Sequence, residues 1–208
     1  MVVKGDIDGG IKKMRDTGVL PNINGYRCIS IVGGEFAITA DSSDIAISTL
    51  LGSCVAMMFY DKKLKIKAMN HFLLPSAGSF KVSFKYGLNS VETMLNAMYK
   101  LGCNKDDLEV KITGGASVLN STTIDVGERN VSFARDFCKS EKIKVSSEHV
   151  HGNHGRVVLL ASDFKTFIRF VTNNAVEEKI KIEEKKILEI SNKTEIVTEL
   201  SSGDITLF

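Results

Sequence analysis

The sequence predicts an α/β layered fold whose sheets are mostly antiparallel. Three observations carry that reading: short β-type runs outnumber helical ones, strands come before and after each helical stretch, and neighbouring runs are joined by short polar turns. With 208 residues, 43% apolar and 25% charged, the chain suits one ordinary domain with extensions and lies far from the disordered range.

Residues 1–26 are rich in Gly, Asp and Asn and include Pro21, one of only two prolines, so they read as a loosely held lead-in. From Arg27 the pattern turns to β-type runs: "RCISIVG", "EFAITA", "DIAIST", "SCVAMMFY" and "LKIKAMNHFLL". In "FKYGLNSVETMLNAMYKLG", Leu88, Val91, Met94, Leu95 and Met98 share one helical face, and Gly102 supplies a stop. "LEVKIT" is a further strand, followed by "GGASVLN". A second helix is predicted over about 128–141, with Val131, Ala134, Phe137 and Cys138 at helical spacing. "IKVSSEHV", "RVVLLAS" and "KTFIRFV" are the last strands of a predicted domain over 27–175. Residues 176–208 form a charged extension without glycine until Gly203, which fits a helix or a strand pair equally. There is no internal repeat.

A net charge of +2, with basic and acidic residues interleaved, reads as a solvated mixed surface and leaves no footprint for nucleic acid or an acidic substrate. The opening "MVVKGDIDGG" lacks an apolar core long enough for a signal peptide. The uncharged run from Ile45 to Tyr60 is interrupted by Ser48, Thr49, Gly52 and Ser53 and is shorter than the roughly 20 apolar residues of a spanning helix. Cys28, Cys54, Cys103 and Cys138 are widely spaced and form no CxxC pair. A cytoplasmic protein with reduced thiols is the expectation.

The stretch 53–74 carries the candidate chemistry. If Tyr60 and Lys65 flank the loop "DKKL", Cys54 sits directly opposite His71 in a hairpin. Opposed residues have Cβ atoms about 4.5–5.5 Å apart on the same face. A one-residue slip would separate them. A thiol of pKa about 8.5 needs an adjacent base to become a nucleophile, and an imidazole can also return the proton to a leaving group. Gly52 lets a carbonyl approach the backbone, where amides around Gly52, Ser53 and Cys54 can line an oxyanion hole. A buried cysteine beside a satisfied core histidine has the same spacing, and both readings stand at this point.

Other motifs compete for attention. "HVHGNHGR" offers His149, His151 and His154 as ligands, but a metal needs a further ligand or an open catalytic position, and no metal or cofactor is expected. Gly152, Gly155 and Arg156 fit a tight turn. "TGGAS", with Gly114 and Gly115, and "VGERN" lack the Lys-Ser/Thr ending of a phosphate-binding loop and fit loops that shape a site. Cys28, Cys103 and Cys138 read as structural thiols, and Phe72, Leu73 and Leu74 as core.

In order along the chain, "LGSCVA", "HFLLP", "KYG", "ITGGAS", "VGERN" and "GNHGR" resemble the CheD family of chemoreceptor glutamine deamidases of bacterial and archaeal chemotaxis. The resemblance covers roughly residues 30–172. It implies a three-layer α/β/β sandwich like that of deamidases of the cytotoxic necrotizing factor type, and hydrolysis of glutamine side-chain amides on chemoreceptor helices. It also implies Cys54 as nucleophile, His71 as its partner and a hydroxyl residue, usually Thr, six positions before the cysteine. That position is Ser48 here, with Thr49 beside it. Arg129 and Asn130 would hold a loop or contact the receptor. Chemoreceptors and a CheC-type phosphatase are the implied partners. A low-turnover module that docks the phosphatase or receptors is the alternative, kept open by Ser48.

Overall fold

The computed structural model describes residues 2–6, 11–14, 22–23, 25–40, 44–74, 80–117, 126–173, 176, 178 and 180–182. Among them, twelve strands form two sheets: β1 Val2–Asp6, β2 Ile11–Met14, β3 Asn22–Ile23, β4 Tyr26–Ser30, β5 Glu35–Ala40, β6 Ile45–Leu51, β7 Val55–Asp61, β8 Ile66–Asn70, β9 Leu108–Gly114, β10 Lys144–Val150, β11 Arg156–Leu160 and β12 Thr166–Phe170. Two long helices accompany them, α1 Phe80–Lys100 and α2 Val126–Glu141. One sheet has the order β10-β9-β7-β8-β5-β1-β2, the other β12-β11-β6-β4-β3. All neighbours are antiparallel except β10 with β9 and β4 with β6.

Side-chain alternation along β7 shows why the layers stack as they do. Val55, Met57 and Phe59 enter a core with Val91, Met94 and Met98 of α1 and Val131, Ala134 and Phe137 of α2. Cys54, Ala56, Met58 and Tyr60 enter a second core with Ile45, Ile47 and Leu51 of β6 and Val158 and Leu160 of β11. A strand buried on both faces needs a layer against each, so helices, seven-stranded sheet and five-stranded sheet form the expected three-layer α/β/β sandwich.

Two local features differ from the sequence expectation, and a third falls where it was open. The loosely held lead-in is not loose over Val2–Asp6: β1 pairs with β5, and Val2 and Val3 are buried in opposite cores, an alternation that the surrounding glycine and aspartate obscure. The β7–β8 turn is Lys62–Lys65, with Asp61 paired to Ile66, so the register is shifted by two residues from the one expected. Asp61 stays in the ladder because its Oδ1 accepts the N–H groups of Lys63 at 2.9 Å and Leu64 at 2.8 Å, closing the turn from the strand end. Finally, the start of the C-terminal extension is helical at Val176, Glu178 and 180–182, and buried Ile180 packs where Gly155 has no Cβ.

Candidate active site

His71 follows β8 and Cys54 precedes β7. Between these two positions the ladder ends in an isolated Val55–Phe72 bridge with mutual hydrogen bonds of 3.0 and 2.9 Å. Cys54 and His71 flank this bridge diagonally, not directly opposite as the expected register would have it. A shift of two residues keeps both on the same face, because side chains alternate with period two. Diagonal neighbours lie about 7–8 Å apart between backbones, with side chains closing part of that gap. Both residues are buried in the space between the sheets.

The neighbouring residue Asn70 points the other way. Its Oδ1 accepts the N–H of Met57 at 3.0 Å and its Nδ2 donates to Ser90 Oγ on α1 at 3.3 Å. The backbone of His71 pairs instead with the start of β5 and the residue before it, donating to Glu35 O at 3.0 Å and accepting from Gly34 N at 2.8 Å. The imidazole is thus held at a seam where the sheet opens.

Across the gap, β6 decides which hydroxyl meets it. Ile45, Ile47 and Leu51 face the inter-sheet core while Ala46 faces the outer side, so Thr49 points inward and Ser48 outward. Thr49 Oγ1 lies 2.8 Å from His71 Nδ1 and donates to Ile31 O at 2.9 Å. A hydroxyl has one proton, and Ile31 takes it, so toward the imidazole Thr49 is an acceptor. That assigns the proton of neutral His71 to Nδ1 and the lone pair to Nε2. Nε2 is buried without a hydrogen-bond partner among the described residues. Burial pushes the His71 pKa down to about 4, so the ring is uncharged at neutral pH. Ser48 Oγ is 3.1 Å from Ser30 Oγ. The position six before the cysteine is therefore not the one bonded to the histidine. A cleft of about 210 Å³ opens beside this pair, lined in part by Ser30, Val32, Ser48, Thr49 and His71.

The segment before the cysteine is anchored through its carbonyls. Gly52 O accepts from Ala116 N at 2.8 Å, Ser53 O from Asn130 Nδ2 at 2.7 Å, and Cys54 O from Gly115 N at 2.8 Å. In a trans peptide the N–H is opposite the C=O, so the Ser53 and Cys54 amides are directed away from these partners. Gly114, at φ +118°, lets β9 come this near: a Cβ there would fall 2.1 Å from Cys54 O.

The remaining candidates lie elsewhere or play other parts. Asn130 is fully buried on α2, and its Oδ1 also accepts from Leu74 N at 2.8 Å; Arg129 is half-buried beside it. An amide within the apolar stripe of α2 was the sequence signal for a buried polar group with dedicated partners. The three histidines of "HVHGNHGR" engage different groups: His149 meets Arg156 Nη1 at 2.9 Å, His151 is 3.4 Å from Glu128, and His154 sits against Phe170. Arg156, fully buried, also donates to the carbonyls of His149 and His151 and so ties the end of β10 to β11, a role its turn motif did not reveal. Cys103 and Cys138 are buried thiols whose pKa burial pushes up to about 12, and the Cys28 thiol is raised for the same reason. Among the described residues no helix is long and apolar enough to cross a membrane.

Comparison with known proteins gives the arrangement a context. The model of the family described as CheD chemotactic sensory transduction matches residues 73–170. A probable chemoreceptor glutamine deamidase CheD of Ralstonia pickettii is 39% identical over 137 residues, 64% of this chain and 57% of that protein. A probable chemoreceptor glutamine deamidase CheD 1 of Albidiferax ferrireducens is 31% identical over 185 residues, 88% of this chain and 76% of its own length. Among solved structures, the C-terminal domain of CNFy from Yersinia pseudotuberculosis aligns with a TM-score of 0.36 at 10% identity, covering 71% of this chain and 58% of that one.

Proposed function

The chain belongs to the CheD family of chemoreceptor glutamine deamidases, and on that premise we propose that it hydrolyses the side-chain amides of selected chemoreceptor glutamines to glutamate and ammonia. In this reading Cys54 is the nucleophile, His71 carries the proton and Thr49 orients His71. The observation that carries it is the Thr49–His71 hydrogen bond, which leaves Nε2 as a buried base without a partner among the described residues, on the face that Cys54 shares.

The chemistry follows from those positions. At rest the pair is uncharged on the histidine side, since a ring with a pKa of about 4 holds no second proton at neutral pH. When a glutamine amide enters, Nε2 takes the Sγ proton as sulfur bonds to Cδ. The tetrahedral oxyanion is met by the Ser53 and Cys54 amides. Nε2–H then protonates the amide nitrogen, the C–N bond breaks, and ammonia leaves a thioester on Cys54. Water attacks that thioester, giving its proton to Nε2, and the thiolate recovers it as glutamate departs. Throughout, Thr49 Oγ1 accepts from Nδ1–H and so steadies the ring while it is charged.

The protein acts in the cytoplasm on receptor helices and docks a CheC-type phosphatase in this account. The alternative of a low-turnover docking module rests on Ser48; the Thr49 hydroxyl 2.8 Å from His71 Nδ1 favours turnover over it. Incubation of a receptor cytoplasmic domain with wild type, Cys54→Ala and His71→Asn tests the reading. Each converted glutamine gains about 1 Da, because an amide NH₂ becomes OH. Conversion by wild type alone is expected; equal conversion by Cys54→Ala would end the proposal.

A further inference from the structure

One buried side chain outside the reacting groups is bonded to both chain segments that carry them. Asn130 Nδ2 donates to Ser53 O at 2.7 Å, immediately before Cys54, and Oδ1 accepts from Leu74 N at 2.8 Å, three residues past His71. The backbone ladder between β7 and β8 stops at Met58–Met69; beyond it the strands are joined by the Asn70 Oδ1 bond to Met57 N–H and by the Val55–Phe72 bridge, so regular ladder hydrogen bonds do not fix the spacing beside His71. The two Asn130 bonds link the two segments just past that bridge, next to Cys54. They run in opposite senses, one donated and one accepted, which an asparagine amide satisfies and an aspartate does not.

The helix that carries Asn130 is itself seated without slack. A Cβ on Gly127 would lie 2.5 Å from Gly115 O, and a Cβ on Gly115 would lie 2.4 Å from Val131 Cγ2. The glycine pair lets the first turn of α2 close onto the segment that follows β9, whose Gly115 and Ala116 amides hold the carbonyls of Cys54 and Gly52. Sheet, helix and both reacting segments therefore converge on one amide.

We propose that Asn130 is a positioning residue that sets the Cys54–His71 separation, acting on the chemical step and not on receptor binding. This rests on the reading of Cys54 and His71 as the reacting pair. The test uses the full chain and a receptor cytoplasmic domain, comparing wild type, Asn130→Asp, Asn130→Ser and Cys54→Ala below their unfolding temperatures. A misplacement of about 1 Å costs on the order of 100-fold. Asn130→Asp is expected to lose about that factor in kcat, with KM within about twofold and single-turnover thioester formation slowed equally. Asn130→Ser, neutral and smaller, is expected to lose kcat in the same way, so the proposal does not depend on the folding of the charged variant. If either folded variant keeps kcat within about threefold, or raises KM with kcat unchanged, Asn130 is structural or a receptor contact and the proposal fails. If Cys54→Ala is as active as wild type, the failure belongs to the reacting pair instead.

Discussion

Burial of a neutral imidazole makes the stability of this protein depend on pH in a way that can be worked out from His71. Its pKa is about 4 when folded, against an ordinary value of 6.5 when the chain is open. Below pH 6.5 the unfolded chain therefore binds a proton that the folded one refuses, so stability falls as pH drops toward 4 and is flat beyond. The complete gap is worth on the order of 3 kcal/mol at 1.36 kcal/mol per unit. Roughly 2 kcal/mol of that is lost between pH 7.5 and pH 5. The perturbation is His71→Asn, which cannot titrate but keeps a donor for Thr49 Oγ1. Urea unfolding of both proteins across pH 7.5 to 5 removes the contribution of every other group from the difference. Wild type is expected to lose about 2 kcal/mol more than His71→Asn over that range. A difference that stays level, or grows in the other direction, refutes a buried neutral ring at this position.

Three further outcomes follow from the same geometry. Thr49→Val is expected to lower kcat by about 10- to 100-fold while Ser48→Ala stays within about twofold, measured by receptor deamidation kinetics; the reverse order would reinstate Ser48. Gly114→Ala forces a Cβ against Cys54 O at a left-handed φ, and thermal unfolding should show a loss of about 3 kcal/mol or more. Iodoacetamide at pH 8 on the native chain should leave Cys103 and Cys138 unlabelled until the protein is unfolded, since both thiols are buried with pKa values near 12.

Much of this arrangement was legible in the sequence, for identifiable reasons. Most of the β-type runs between residues 27 and 171 and both helical faces became strands and helices because their apolar periods were clear, while the exposed β10 was marked by its β-type residues and flanking turns. Cys54 and His71 share a face despite a register misread by two residues, because only an odd slip would have parted them. The misreading came from Asp61, which looked like a loop residue and instead closes the turn from within the strand. Counting back from the cysteine pointed to Ser48, whereas the alternation of Ile45, Ile47 and Leu51 already put Thr49 on the inner side. Asn130 was legible as a polar residue on an apolar helix face, but its two partners lie 77 and 56 residues away and no local pattern announces them. The residues "TGGAS" and "VGERN" similarly gain their meaning only when Gly115 and Gly127 are brought together by the fold.

The central claim is that a covalent thioester forms on Cys54 with His71 as its proton carrier. Acid-quenched mass spectrometry of the full chain, mixed for short times with a glutamine-containing receptor fragment, reads it directly. The account predicts a transient adduct on the Cys54 peptide equal to the fragment less about 17 Da of ammonia. It should be absent in Cys54→Ala and slow to form in His71→Asn. Turnover of receptor glutamine by wild type with no such adduct, and undiminished in Cys54→Ala, would contradict it.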